Sequence, residues 1–440
     1  MSTTLTAAPS LRAKTYAEND DRFLFRRFRT WCLLLALFLM AQGNGLFTQQ
    51  DGQHINLYML RRRFDSVPSL LWLTGLLWVL CVGLMVAQIG PALRMMLKQK
   101  ALLAFAALAF LSTLWSQEPQ LTFRRAATLF LIFLFAWFFA TRYSPADQMR
   151  LLLAAGVIVA LASVAMAVLL PQYGISAGGE WKGVFGQKNR LGLSIVFLFS
   201  ALPFCRIFGG RQLLKLAFQA SLPLGLILLS ESRTSLIMVA VLTGVRVFGP
   251  FLARRRREQL PFMLYAAFIG IPLSVLAIAV GKDIILPLLG RDATLTGRTE
   301  SWAVLATFAL QHLWIGYGYE AFWTGTGDSL RAAITVGVPI TGSDSGYLDT
   351  MLQFGLLGIA MLLIVLLVSA RDFVRLFRSA SAPLIAYWYI GVILMTFVGS
   401  FTETLFLTSS GITTFVFVVA CAGLRSLSCE SPHWHESLGG

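Results

Sequence analysis

The residues of this chain best suited to chemistry are cations and carboxylates in short Gly/Ser-rich stretches between apolar runs. Lys182, Lys188 and Arg190 lie in Trp181-Lys182-Gly183-Val184-Phe185-Gly186-Gln187-Lys188-Asn189-Arg190, where glycines let the backbone approach a ligand. Arg233 sits in the tight turn Ser230-Glu231-Ser232-Arg233-Thr234, and Arg298 follows Thr296-Gly297. Arg124 and Arg125 come shortly after Trp115-Ser116-Gln117-Glu118-Pro119, directly before an apolar run. Asp344 stands in Ser343-Asp344-Ser345-Gly346, before another run that starts at Tyr347.

Several guanidinium groups near hydrocarbon suit a pyrophosphate, whose charge must be compensated where water is scarce. Arginine stays protonated, and its planar fork matches phosphate oxygens. When a lipid pyrophosphate leaves a sugar, negative charge builds on it, and fixed cations stabilise that charge without reorganising. On this reading Arg190, Arg233 and Arg298 bind the anion, with Lys188, Arg124, Arg125 and Tyr347 as further substrate contacts. Asp344 is then the catalytic base, taking a proton from an attacking hydroxyl. Plainer roles stand beside these. Arginines near helix ends also snorkel to headgroups, and Asp or Ser ahead of Gly346 also caps a helix.

Other chemistries find little support. No Asp-x-Asp pair or His-x-x-Glu-His array occurs between the runs, and His54 and His312 have no nucleophile elbow nearby. Metal-independent transfer with no cofactor is expected. The cysteines lack paired spacing, so neither a disulfide frame nor a zinc site follows. His433-Trp434-His435 reads as a frayed tail.

The elements that position these residues are membrane helices. Of 440 residues, 57% are hydrophobic and 13% charged, with mean hydropathy +0.71, too little charge to cover a soluble surface. Apolar runs recur at 31–47, 69–89, 102–114, 126–140, 151–170, 191–208, 213–229, 236–252, 262–280, 347–370, 384–399 and 406–424. The expected fold is an all-α polytopic membrane protein with about twelve transmembrane helices and a large periplasmic loop before the tenth span. The expected division is a basic cytoplasmic N-terminal tail over 1–30 and nine spans over 31–281. The periplasmic loop covers 282–345, three more spans cover 346–424, and a cytoplasmic C-terminal tail covers 425–440. Trp302, Leu305, Phe308, Ala309 and Leu313 have helical spacing, which predicts an amphipathic helix over 300–314 at the interface or capping the bundle. The first run lacks a small-residue cleavage site and reads as a retained anchor.

The net charge of +15 does not point to nucleic acid. With a cytoplasmic N-terminus, well over half of the 36 Lys and Arg fall on the cytoplasmic side. Clusters such as Arg26-Arg27-Phe28-Arg29 and Arg254-Arg255-Arg256-Arg257 suit an anionic lipid face.

At these residues the chain resembles the O-antigen ligase and polysaccharide polymerase family of bacterial envelope proteins. Five ordered segments carry the resemblance, over about residues 110 to 360. They are Trp115-Ser116 with Thr122-Phe123-Arg124-Arg125; Gly183 to Gly192; Ser230 to Thr234; Thr296-Gly297-Arg298 with Trp302 and Gly316-Tyr317-Gly318; and Asp344-Ser345-Gly346-Tyr347-Leu348 with Gly355-Leu356-Leu357-Gly358. The resemblance implies an undecaprenyl-pyrophosphate-linked glycan donor held by arginines, and inverting transfer to a sugar hydroxyl without metal. It also implies the bacterial inner membrane, with the active site facing the periplasm. Glycan or lipid A core would be the acceptor, membrane lipid the surroundings, and a chain-length regulator or flippase a candidate partner. Family members often carry His at Gln187, and many ligases carry a catalytic His at Asp344. Those departures favour the polymerase branch over the ligase that transfers glycan to lipid A core. A transporter or flippase of lipid-linked glycan is the competing class, but its repeated halves and broken helices are not expected here, because the runs read as uninterrupted.

Overall fold

The computed structural model describes residues 29–41, 68–86, 89–205, 210–255, 298–324, 327–337, 340, 342–379, 384–409 and 411–430. Among them the regular structure is helical, with one isolated bridge between Ile175 and Trp181. The helices are α1 (Arg29–Ala41), α2 (Pro68–Val86), α3 (Ile89–Lys98), α4 (Lys100–Leu111), α5 (Pro119–Arg142), α6 (Pro145–Leu169) and α7 (Lys188–Phe199). They continue as α8 (Gly210–Leu229), α9 (Arg233–Arg255), α10 (Arg298–Gln311), α11 (Gly327–Val336), α12 (Gly346–Ser379), α13 (Leu384–Gly399) and α14 (Ile412–Glu430). Local chemistry sets several starts. Proline opens both α5 and α6, where its missing N–H is no loss, and Ser144 Oγ accepts from the Asp147 amide at 3.2 Å.

The all-α, multi-pass class holds, and the described residues do not confirm the count of twelve spans. Among the described residues five helices are long and apolar enough to cross a membrane, or six if Trp78–Val86 and Ile89–Lys98, bent by 98°, form one broken span. Each expected run within the described residues falls on a helix, and among the apolar ones four are short: Arg29–Ala41, Lys100–Leu114, Ala217–Leu229 and Leu384–Gly399. The run 262–280, the basic N-terminal tail, the first part of the 282–345 segment and the His433-Trp434-His435 tail lie outside the described residues.

Two runs differ from their expected form. The run 191–208 is no straight span. Its helix, α7, has 12 residues, about 18 Å at the α-helical rise, and a short 3-10 turn containing Pro203 follows. Leu191 to Phe199 are all buried, because α6, α8, α9 and α14 surround them. The tenth run is also interrupted, because Gly355 in α12 has φ 60° and ψ −150°. The Leu356 amide donates to Leu313 O at 2.7 Å and the Leu357 amide to Trp314 O at 3.2 Å. In the other direction Tyr317 N reaches Leu352 O at 2.8 Å and Gly318 N reaches Gln353 O at 3.0 Å. Residues 313–318 therefore lie along the break and satisfy backbone groups that would be costly in hydrocarbon.

The helix expected over 300–314 is present as α10. It packs on α11 and α12, and its Leu305, Phe308 and Ala309 join Tyr317, Phe322, Trp323 and Leu352 in a second apolar cluster. Antiparallel passage through the bundle brings residues 112–119, 170–190, 229–233, 298–324, 342–346 and 399–409 to one end. The opposite end holds the buried Asp372 with Arg425 at 2.7 Å and Arg371 at 3.2 Å.

Gly355→Ala tests the break. A Cβ there would lie 2.4 Å from Leu313 O, at a positive φ that L-residues rarely adopt. The backbone strain alone costs roughly 1–3 kcal/mol. Gly244→Ala, with nothing within 4 Å of the added carbon, is the control. Thermal unfolding in detergent is expected to drop clearly for the first and to hold or rise for the second.

Candidate functional site

Residues 400–404, the first part of the connection between α13 and α14, join three of the predicted positions. The Gly346 amide, two residues after Asp344, donates to Ser400 O at 2.7 Å and to Glu403 O at 3.1 Å. Thr402 shares a hydroxyl hydrogen bond with Thr234, beside Arg233, at 2.8 Å. Glu403 Oε1 accepts from Asn189 Nδ2, beside Arg190, at 2.7 Å.

Arg190 is exposed in the first turn of α7 and lies within electrostatic reach of Glu403. Arg233 is the first residue of α9 and is also exposed. Its turn is shaped by Ser232, whose Oγ accepts the Ser235 amide at 3.4 Å. Gly192 lets this turn approach α7, since a Cβ there would sit 2.4 Å from Ser235 Oγ and 2.8 Å from Ser232 Cβ. Asp344 is half-buried with φ 51°, in a turn where Ser343 Oγ accepts the Ser345 amide at 3.1 Å. Arg298 opens α10, and its side chain lies outside the described residues. Trp302, about one turn further on, donates from Nε1 to Ser343 O at 2.7 Å, so this end of α10 abuts the Asp344 turn.

The other expected contacts have protein partners or stand apart. Lys188 pairs with Glu180 at 2.8 Å. Arg125 pairs with Glu320 at 3.5 Å, and Glu320 also accepts the Ser409 amide at 2.7 Å and hydroxyl at 2.6 Å, so this group ties three segments together. The Tyr347 hydroxyl donates to Phe397 O at 3.0 Å, while its ring packs on Phe401 and Phe406. Arg124 is exposed near the start of α5.

Sequence reasoning passed over three carboxylates. Asp349, 3% exposed, accepts from Trp323 Nε1 at 3.0 Å and from the Thr404 hydroxyl, joining the 298–345 segment to the 400–404 connection. An acid inside an apolar run is itself a signal for a site, and that signal was available. Glu403 and Glu320 carry no such mark, because their partners are distant in sequence. Among the described residues the non-glycine positions with positive φ are Glu231, Glu320, Asp344 and Leu407, all at this end of the bundle. Strained backbone of this kind gathers at ligand sites.

Residues 218–363 match the family model described as O-Antigen ligase. The resemblance to the O-antigen ligase and polysaccharide polymerase family is borne out. The chain is also 27% identical over 321 residues to the exopolysaccharide production protein ExoQ of Rhizobium meliloti (strain 1021), covering 69% of this chain and 72% of that one. The O-antigen ligase match runs from α8 into α12 and includes Arg233, Arg298, Asp344 and Asp349, whereas Arg190 and Glu403 lie outside it. These matches relate the chain to glycan assembly at a membrane.

The Lys188–Glu180 pair predicts an acid dependence. Hydrogen bonds from Lys188 and Ser176 hold the Glu180 carboxyl down at about 2, from an ordinary 4.5. Its contribution to stability is complete above pH 4.5 and is lost as pH falls through about 2. The melting temperature of Glu180→Gln is expected to lie below the parent by a constant margin above pH 4.5 and to converge with it towards pH 2.

Proposed function

We propose that the chain polymerises undecaprenyl-pyrophosphate-linked oligosaccharide repeats at the periplasmic face of the bacterial inner membrane. The observation that carries this reading is the convergence of the Arg190, Arg233 and Asp344 turns on residues 400–404, with the first turns of α10 docked beside them through Trp302. The name of the exopolysaccharide relative supports the product class. The opposite end of the bundle carries Arg142, Arg150, Arg371 and Arg425, which by the positive-inside tendency favours a cytoplasmic face there. An apolar cleft of about 800 Å³ opens between α6, α7 and α8, lined by Leu153, Val157, Leu161, Trp181, Phe218 and Leu222 among others. It suits an isoprenoid tail, and Trp181 leads directly into the Lys182–Arg190 stretch.

In the proposed reaction an acceptor sugar hydroxyl attacks the anomeric carbon of the lipid-linked donor. A carbon–oxygen bond forms, the bond to pyrophosphate breaks, and configuration inverts. The bond pair leaves on the phosphate oxygen, where Arg190, Arg233 and Arg298 stabilise it. The hydroxyl proton passes to the Asp344 carboxylate. Fixed arginines suit this role because their charge persists wherever the bilayer edge lies.

A ligase that hands the same glycan to lipid A core is the second reading, favoured by the description of the matching family model. Gene deletion separates the two. Accumulated single lipid-linked repeats mark a polymerase, and accumulated long lipid-linked polymer marks a ligase.

Arg298→Ala and Arg298→Lys are each expected to lower product roughly tenfold or more at equal protein level, from the loss of one charge-assisted contact. Unchanged chain length and yield in both would remove Arg298 from the site. Asp344→Asn isolates the proton transfer, because Asn adopts positive φ readily and caps about as well as Asp. Loss of a general base predicts roughly a hundredfold lower turnover with folding retained, and normal turnover would exclude Asp344 as the base.

A further inference from the structure

Glu403 stands where the donor cations and the Asp344 segment meet. It is 8% exposed. Its side chain accepts 2.7 Å from Asn189 Nδ2, in the first turn of α7, and its charge acts on the neighbouring Arg190. Its main-chain carbonyl accepts the Gly346 amide at 3.1 Å, while its own amide donates to Gly399 O at 3.0 Å. One residue thus grips the Arg190 turn with its side chain and the Asp344 segment with its backbone.

A buried carboxylate beside an anion site opposes binding of the anion, since like charges repel. Its value there has to lie in something other than affinity. Arginine has a long side chain with much rotamer freedom, and an exposed one near a fixed counter-charge loses part of that freedom before substrate arrives. Pre-oriented charge is what stabilises a leaving group during the chemical step.

We propose that Glu403 is a positioning residue. With Asn189 it orients Arg190 towards the leaving pyrophosphate and keeps that arginine in register with Asp344. The proposal rests on the donor-site reading above and extends it to a residue outside the family match.

The test uses the purified full chain in lipid nanodiscs with a polyprenyl-pyrophosphate-linked oligosaccharide as donor. Glu403→Gln retains size and hydrogen bonding but removes the charge. Its kcat is expected to fall roughly tenfold, with donor KM unchanged or lower because a repelling charge has gone, and with the melting temperature held. A lower melting temperature with unchanged kcat per folded molecule would make Glu403 merely structural and overturn the proposal. Arg190→Lys with Glu403→Gln is expected to be no worse than Arg190→Lys alone, and additive losses would also overturn it. Should Glu403→Gln fail to fold, Asn189→Ala carries the same kcat test with the carboxylate in place. If Arg190→Lys itself has parental activity, the donor-site assignment of Arg190 fails. If Arg190→Lys is impaired while Glu403→Gln matches the parent, only the positioning role fails.

Discussion

Backbone polar groups at membrane depth must find partners within the protein, and that constraint organises this molecule. The break at Gly355 frees amides and carbonyls of α12, and residues 313–318 take them up. That pairing draws the C-terminal side of α10 against the bundle. Trp302 then ties the beginning of α10 to Ser343, and Trp323 reaches Asp349 within the first turn of α12. The site end is assembled outward from one interrupted helix.

A second consequence concerns charge. Two kinds of cation stand out among the described residues at this end. Lys188 and Arg125 are neutralised by Glu180 and Glu320 and hold loops in place. Arg190 and Arg233 remain exposed beside the 400–404 connection. A structural ion pair lends little as an anion site, because its charge is already balanced by a neighbour. The paired cations explain why the loops keep their shape, and the exposed arginines are the ones that the proposed function gives to the pyrophosphate.

Much of this arrangement could be read from the chain. The apolar runs marked the helices, and the spacing of Trp302, Leu305, Phe308 and Ala309 marked α10 before any coordinate. Local turn chemistry marked the Ser230–Thr234 and Ser343–Gly346 segments. What could not be read are contacts whose partners lie far apart in sequence. Nothing in Phe401-Thr402-Glu403-Thr404 announces Asn189 or Thr234 as partners. Nor does hydropathy reveal that the tenth run breaks at Gly355, because glycine is common in membrane helices and only the positive φ gives it meaning here. The same blindness made 191–208 look like a full span, when α7 is a short interior helix.

The broken helix bears on the choice between transport and transfer. Interrupted helices were expected of a transporter, so the break in α12 removes one argument against that class. What fills the break argues the other way. In an alternating-access transporter the freed backbone groups face a cavity and coordinate cargo. Here residues 313–318 satisfy them, with spacings of 2.7 to 3.2 Å on both sides of Gly355. Backbone groups paired within the chain at this break are not left free to coordinate cargo. Their pairing gives a fixed platform, which suits the proposed chemical step better than passage across the bilayer.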